Sequence, residues 1–193
     1  MSMFFSILLS GLITDNMVMM RTLGICPFLG VSKKLESGLG MGLAVTFVLV
    51  LASVVCYVLY YYVLAPLSLV YLQTIVFILI IAVLVQVLDI VLKKLSPALY
   101  ASLGVYLALI TTNCVVLFTA NNVISQGFNI LGAFVNAVAV GLGFTLALLL
   151  MAGIRERLDR AALPKSVQGL PIALITAGIM ALAFMGLKGL FGG

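Results

Sequence analysis

Histidine and tryptophan are both missing from this 193-residue chain. Without His there is no imidazole ligation of haem, no His-based triad and no His-containing metal site. Charge is nearly as scarce: ten Lys and Arg and five Asp and Glu make up 8% of the residues, against 65% hydrophobic. A soluble domain carries about 25% charged and roughly 45–50% apolar residues. So few charges cannot cover the surface of a water-soluble globule of this size. With a mean hydropathy of +1.37, the composition defines an integral membrane protein, and its long apolar runs make it all-α. Nucleotide and flavin motifs are absent as well, and the three Cys are an odd number.

The charges that are present fall in three clusters. Nothing is charged from Ser37 to Leu88, a run of 52 residues, from Leu95 to Ile154, a run of 60, or from Ser166 to Leu187, a run of 22. A span needs about 20 residues, so each long gap holds two helices and the last holds one. With the apolar N-terminus, near 3–20, this predicts six transmembrane helices in a single domain, 1–193. Ala65-Pro66 and Ser68 separate a span near 39–64 from one near 70–92. Asn121-Asn122, Ser125-Gln126-Gly127 and Asn129 separate spans near 98–120 and 131–153. The sixth runs near 170–187, entered through Pro164 and Pro171. The first span has no positive residue ahead of it and no small-residue cleavage pattern, and it contains Asp15; it reads as a retained helix and not a signal peptide.

Loops near 21–38, 93–97 and 155–168 hold nine of the ten Lys and Arg, from Arg21, Lys33 and Lys34 to Arg155, Arg157, Arg160 and Lys165. The other face has only Lys188. The positive-inside rule places these loops in the cytoplasm and both termini outside. The basic balance therefore reports topology. No stacking or base-reading groups accompany it, so a nucleic-acid partner is not expected; the lipid bilayer is.

Six spans divide into halves of three, about 1–95 and 96–193, and an odd number per half makes them inverted repeats. Gly40-Met41-Gly42-Leu43 resembles Gly141-Leu142-Gly143-Phe144, and Leu23-Gly24-Ile25-Cys26 resembles Leu103-Gly104-Val105-Tyr106. Sites in such folds gather near the midplane at broken helices. Cys26 lies among Gly24, Ile25, Pro27 and Gly30, a poor regular helix whose backbone could present a thiolate and free N–H groups. Cys114 follows Thr111, Thr112 and Asn113, a polar island in an apolar span. The two are 88 residues apart, which would make them equivalent in an inverted repeat.

Spacing alone leaves Cys26 and Cys114 open to two readings, packing residues or thiolate ligands. Cys56, in an unbroken apolar run, reads as packing. A metal or iron–sulfur site held by thiolates wants about four ligands, and one chain offers two. The shortfall predicts a partner that supplies the rest. Asp15 with Asn16 is a candidate cation or partner contact, because an intramembrane carboxylate is a functional hypothesis by default. Asp89 and Lys93 are spaced as a helix-end ion pair, and Tyr57, Tyr60, Tyr61 and Tyr62 as an interfacial belt.

Several of these stretches are similar to a known family. Leu23-Gly24-Ile25-Cys26-Pro27-Phe28-Leu29-Gly30-Val31-Ser32-Lys33-Lys34-Leu35-Glu36 and Leu109-Ile110-Thr111-Thr112-Asn113-Cys114 closely resemble the Rnf family of membrane subunits, those of ion-translocating ferredoxin:NAD oxidoreductases. Ser96-Pro97-Ala98-Leu99-Tyr100 and Ala152-Gly153-Ile154-Arg155-Glu156-Arg157-Leu158 fit too. The sodium-pumping NADH:quinone reductase has a more distant relative, with Met-Cys-Thr where this chain has Ile25-Cys26-Pro27. Two departures are Ala108, where the family usually has Pro, and Asp15, where Asn or Glu is common.

The resemblance implies a six-span, inverted-repeat subunit in a bacterial or archaeal inner membrane, paired with a homologous RnfE-type subunit of opposite orientation. It implies an intramembrane [2Fe-2S] cluster shared by the pair, two Cys from each chain, with Cys26 and Cys114 at the ligand positions. Further implied partners are the flavin-carrying RnfG- and RnfD-type and the iron–sulfur RnfB- and RnfC-type subunits. The expected role is half of an electron relay coupled to Na⁺ or H⁺ translocation. The rival readings are a secondary cation transporter using Asp15 and a structural membrane anchor, neither with a redox role.

Overall fold

The computed structural model describes residues 11–12, 16–32, 35–66, 70–95, 107–160, 164 and 168–191. Regular structure among them is entirely helical: α1 Met17–Arg21, α2 Ile25–Val31, α3 Leu35–Leu59, α4 Gln73–Leu95, α5 Leu107–Thr111, α6 Cys114–Ser125, α7 Ile130–Asp159 and α8 Leu170–Phe191. A π turn, Tyr60–Leu64, prolongs α3, and a 3-10 turn, Val70–Leu72, leads into α4. Leu35–Leu64, Gln73–Val91 and Ile130–Asp159 are long and apolar enough to cross a membrane, while Leu109–Ser125 and Leu170–Gly186 are shorter apolar helices.

Residue size, and not polarity, decides which side of α3 is buried. Gly38, Met41, Gly42, Val45, Leu49, Ala52 and Ser53 face inward at helical spacing, while Leu39, Leu43, Phe47 and Leu51 point outward. Between lipid-facing helices there is little hydrophobic driving force, so small residues that allow close approach mark the contact. The contact is with α7, which runs antiparallel to α3. A Cβ added at Gly42 would lie 2.6 Å from Thr145 Cγ2, and one added at Gly141 would lie 2.6 Å from Thr46 Cγ2. Each Thr hydroxyl donates back to the glycine one turn earlier, Thr46 Oγ1 to Gly42 O at 2.7 Å and Thr145 Oγ1 to Gly141 O at 2.8 Å. The two helices thus exchange the same Gly-and-Thr device in both directions. Gly42 corresponds here to Gly141, two positions away from the alignment the sequence suggests. The other suggested match, Leu103 to Tyr106, lies outside the described residues.

Several boundaries differ from those expected. Residues 25–31 form α2 and are not loop, because Gly24 supplies a left-handed start (φ 76°) and Pro27 falls in the first turn, where a missing N–H costs little. Asn121 and Asn122 remain inside α6. The turn comes later, at Gln126 and Gly127 (φ 64°), where Phe128 N donates to Val123 O at 3.2 Å. At about 45 Å, α7 outruns the hydrocarbon core, so Arg155 to Asp159 lie on the helix instead of in a loop.

The main core joins α1, α2, α3, α6 and α7, with Phe28, Val45, Val115, Phe144 and Leu148 among its buried members. A satellite core holds Cys56 against Phe77 and Ala120, with Cys56 fully buried. That is the packing position expected of it. Near the end of α3 the rings of Tyr57 and Tyr61 lie 4.7 Å apart, and those of Tyr60 and Tyr61 5.5 Å apart in a T-shape.

Candidate functional site

Both chain segments that carry the candidate cysteines are broken helices, and asparagines restart both. Asn16 caps α1, its Oδ1 accepting from Val18 N at 3.0 Å. Asn113 caps α6 in the same way, its Oδ1 accepting from Val115 N at 3.0 Å. A side-chain acceptor at this position satisfies an N–H that the first turn leaves unpaired. Cys114 is therefore the first helical residue after its break.

Cys26 sits beyond a second break. Thr22 ends α1 in the left-handed region (φ 54°), with Leu23 N donating to Met17 O at 3.3 Å. Gly24 then starts α2, in which Cys26 is the second residue.

The two breaks meet at Gly24. A Cβ there would lie 2.8 Å from Val115 Cγ2, 3.0 Å from Phe144 Cε2 and 3.2 Å from Asn113 Oδ1. A glycine is required twice over, by its positive φ and by the lack of room. The contact brings the residue two before Cys26 against the residues on either side of Cys114. Gly24, Pro27 and Asn113 are buried beneath this junction, while Ile25, Cys26, Thr112 and Cys114 are exposed on it. Cys26 and Cys114 are free thiols. Cys114, Thr112 and Asn113 also line an apolar cavity of about 620 Å³, closed by Leu23, Ile78 and Phe118.

The two asparagines differ in their remaining valences. Asn16 is fully buried, and its Nδ2 donates to Gly143 O of α7 at 2.8 Å and to Leu12 O at 3.4 Å. Its amide is engaged on both sides within the chain, a structural use where a cation or partner contact was expected. Asp15 lies outside the described residues. Asn113 is 4% exposed, and its Nδ2 has no hydrogen-bond partner among the described residues.

Three features of this region escaped the sequence reading. Leu12-Ile13-Thr14-Asp15-Asn16-Met17-Val18 and Leu109-Ile110-Thr111-Thr112-Asn113-Cys114-Val115 agree at five of seven positions, a signal visible only once the caps are known to matter. That match puts Met17 opposite Cys114 and corrects the expectation that Cys26 and Cys114 are equivalent. Arg155 is 8% exposed, and its Nη1 donates to Leu29 O at 2.7 Å and Ser32 Oγ at 3.0 Å, at the C-terminal end of α2. Arg21, expected in a loop, ends α1 and lies over the Phe118 ring, 4.8 Å from its centroid.

Chemically, the junction presents two soft sulfur donors on one exposed, apolar-rimmed face. Among the described residues no three Cys, Asp or Glu gather into a metal site. The donor set thus fits one half of a four-thiolate cluster site.

Residues 4–191 match the family model described as "Rnf-Nqr subunit, membrane protein". One subunit of the Na⁺-translocating ferredoxin:NAD⁺ oxidoreductase complex of Acetobacterium woodii is 57% identical over 184 residues, 95% of this chain and 96% of that one. Its counterpart in an ion-translocating oxidoreductase complex of Syntrophotalea carbinolica is 54% identical over 187 residues, 97% of each chain. The counterpart in the proton-translocating ferredoxin:NAD⁺ oxidoreductase complex of Clostridium ljungdahlii is 45% identical over 190 residues, 98% of each. A match of this extent, carried through both cysteine motifs, makes the chain a member of the Rnf-Nqr family of membrane subunits.

Proposed function

We propose that this chain is a membrane subunit of an ion-translocating ferredoxin:NAD⁺ oxidoreductase complex, and that Cys26 and Cys114 supply two of the four thiolates of an intramembrane [2Fe-2S] cluster. A homologous RnfE-type subunit supplies the other two. The observation that carries the reading is the junction at Gly24, where two helix breaks adjoin and each leaves one free Cys exposed. Two thiols brought to a common face and left uncovered suit a site completed from outside the chain.

The architecture we infer is six spans in two inverted repeats, about 1–95 and 96–193. Both termini lie outside, and the loops around Lys33, Lys93 and Arg160 lie in the cytoplasm. The reciprocal Gly42–Thr145 and Gly141–Thr46 contacts and the paired Asn16 and Asn113 caps support it.

In this reading a bound [2Fe-2S] cluster supplies a one-electron carrier within a hydrocarbon core of about 30 Å, a width that one efficient tunnelling step does not cover. The residues of this chain do the rest. Cys26 and Cys114 bind as thiolates. Gly24 and Asn113 hold the two backbones together, and Arg155 fixes the far end of the Cys26 helix. The apolar residues around Cys114 exclude water. Translocation of Na⁺ or H⁺ belongs to the assembly, and relatives named for either ion exist.

The test is iron, acid-labile sulfide and EPR on the purified complex, comparing wild type with Cys26→Ser, Cys114→Ser and Cys56→Ser. Loss of one [2Fe-2S] signal in the first two variants alone is the expected result. An unchanged signal in all three removes the redox role from this chain.

A further inference from the structure

Arg21 is an exposed residue at the end of α1, on the segment that leads to Cys26. Its guanidinium carbon lies 4.8 Å from the centroid of the Phe118 ring. Phe118 stands four residues after Cys114 on α6, so the two share one helix face with their Cβ atoms about 5–6 Å apart. Cys114 and Phe118 also line one cavity together with Leu23, two residues beyond Arg21. The ring therefore holds a cation on the order of 10 Å from the Cys114 sulfur.

A guanidinium is charged at any accessible pH, and an aromatic face attracts it without neutralising it. Cluster sulfurs and cysteine thiolates together make a net anion, and each electron accepted makes it more negative. Where water is largely excluded, a fixed charge acts over such a distance far more strongly than it would in water. A cation at this place favours the reduced form over the oxidised one.

We propose that Arg21, held on Phe118, is the charge-compensating residue of the thiolate site and raises its reduction potential. The inference rests on the cluster reading above and adds a residue that touches neither sulfur. A merely structural Arg21 would leave the potential where it is.

The experiment is an EPR-monitored redox titration of the purified complex carrying Arg21→Gln, Arg21→Lys or, as a control, Arg157→Gln on the exposed end of α7. Arg21→Gln is expected to weaken reduction about tenfold, a fall of about 59 mV for one electron. Arg21→Lys keeps the charge and stays within about threefold of wild type, and Arg157→Gln is unchanged. A potential in Arg21→Gln equal to wild type overturns the proposal while leaving the cluster reading intact. A wild-type complex with no Cys26- and Cys114-dependent signal overturns that reading first, and this proposal with it. Should Arg21→Gln fail to assemble, Phe118→Leu is titrated instead, since it keeps the guanidinium but removes the ring that holds it. A lowered potential then supports the assignment, and an unmoved one overturns it.

Discussion

Arg155 donates to Leu29 O at 2.7 Å across 126 positions of sequence, tying the longest helix to the end of the short helix that carries Cys26. The same nitrogen reaches Ser32 Oγ at 3.0 Å. No carboxylate pairs with Arg155 among the described residues, so its buried charge is met by the last carbonyls of α2, where a cation is favoured. Phe144, three turns earlier on α7, packs under Gly24 at the other end of the Cys26 segment. The Cys26 helix is thus braced at both ends on α7.

Replacing Arg155 tests the brace. Arg155→Gln leaves Leu29 O without its charged donor, and hydrogen bonds to charged groups contribute about 1.5–3 kcal/mol. The expected loss is about 2 kcal/mol in unfolding experiments on the detergent-solubilised complex, with faster alkylation of Cys26 in a complex stripped of iron. Arg155→Lys restores part of both. Unchanged alkylation would mean that the brace does not control the Cys26 segment.

Gly24 and Gly40 offer a matched pair of glycines. Gly24→Ala meets a left-handed φ, costing about 1–2 kcal/mol for an L side chain, and a methyl 2.8 Å from Val115 Cγ2. Overpacking adds about 1–3 kcal/mol. The variant should lose most of its [2Fe-2S] signal, because its methyl pushes apart the two breaks. At Gly40 an added methyl meets nothing within 4 Å, and a helical Gly→Ala change is favourable by about 0.8–1 kcal/mol. Equal signals in the two variants would show that contact between the breaks is irrelevant to assembly.

Asn16 and Asn113 make the same cap but stand in different surroundings, so the same substitution should part them. Asn16→Ser keeps a cap acceptor but loses the donation to Gly143 O, a buried bond whose removal costs about 1–3 kcal/mol. Asn113→Ser keeps a cap acceptor and removes an amide nitrogen that is buried without a partner among the described residues. That change should lie within about 0.5 kcal/mol of neutral. Thermal unfolding of the two complexes decides it, and equal losses would contradict the bonding described for Asn16.

The class of the protein and its candidate residues were legible without a structure. Charge-free runs longer than a bilayer is thick cannot be anything but membrane helices, and Gly, Pro, Thr and Asn in such runs mark where helices break. Those are local properties, so Cys26, Cys114, Gly24 and Asn113 stood out from their immediate neighbours. What local chemistry could not supply was which break meets which. In an apolar helix the inward and outward faces are both hydrophobic, so hydropathy does not distinguish them. Size does, and it acquires meaning only against a partner, as Gly42 does against Thr145. The burial of Arg155 and the stacking of Arg21 on Phe118 were hidden for a related reason. A charge read along the chain belongs to a loop, and only the packed helices bring it to a carbonyl or a ring far away in sequence. Composition determined the solvent of this protein and the places where its helices are interrupted. The tertiary structure decided that two of those interruptions share one face, because close approach at Gly24 needs both a left-handed backbone and the side chains of a helix some ninety residues away.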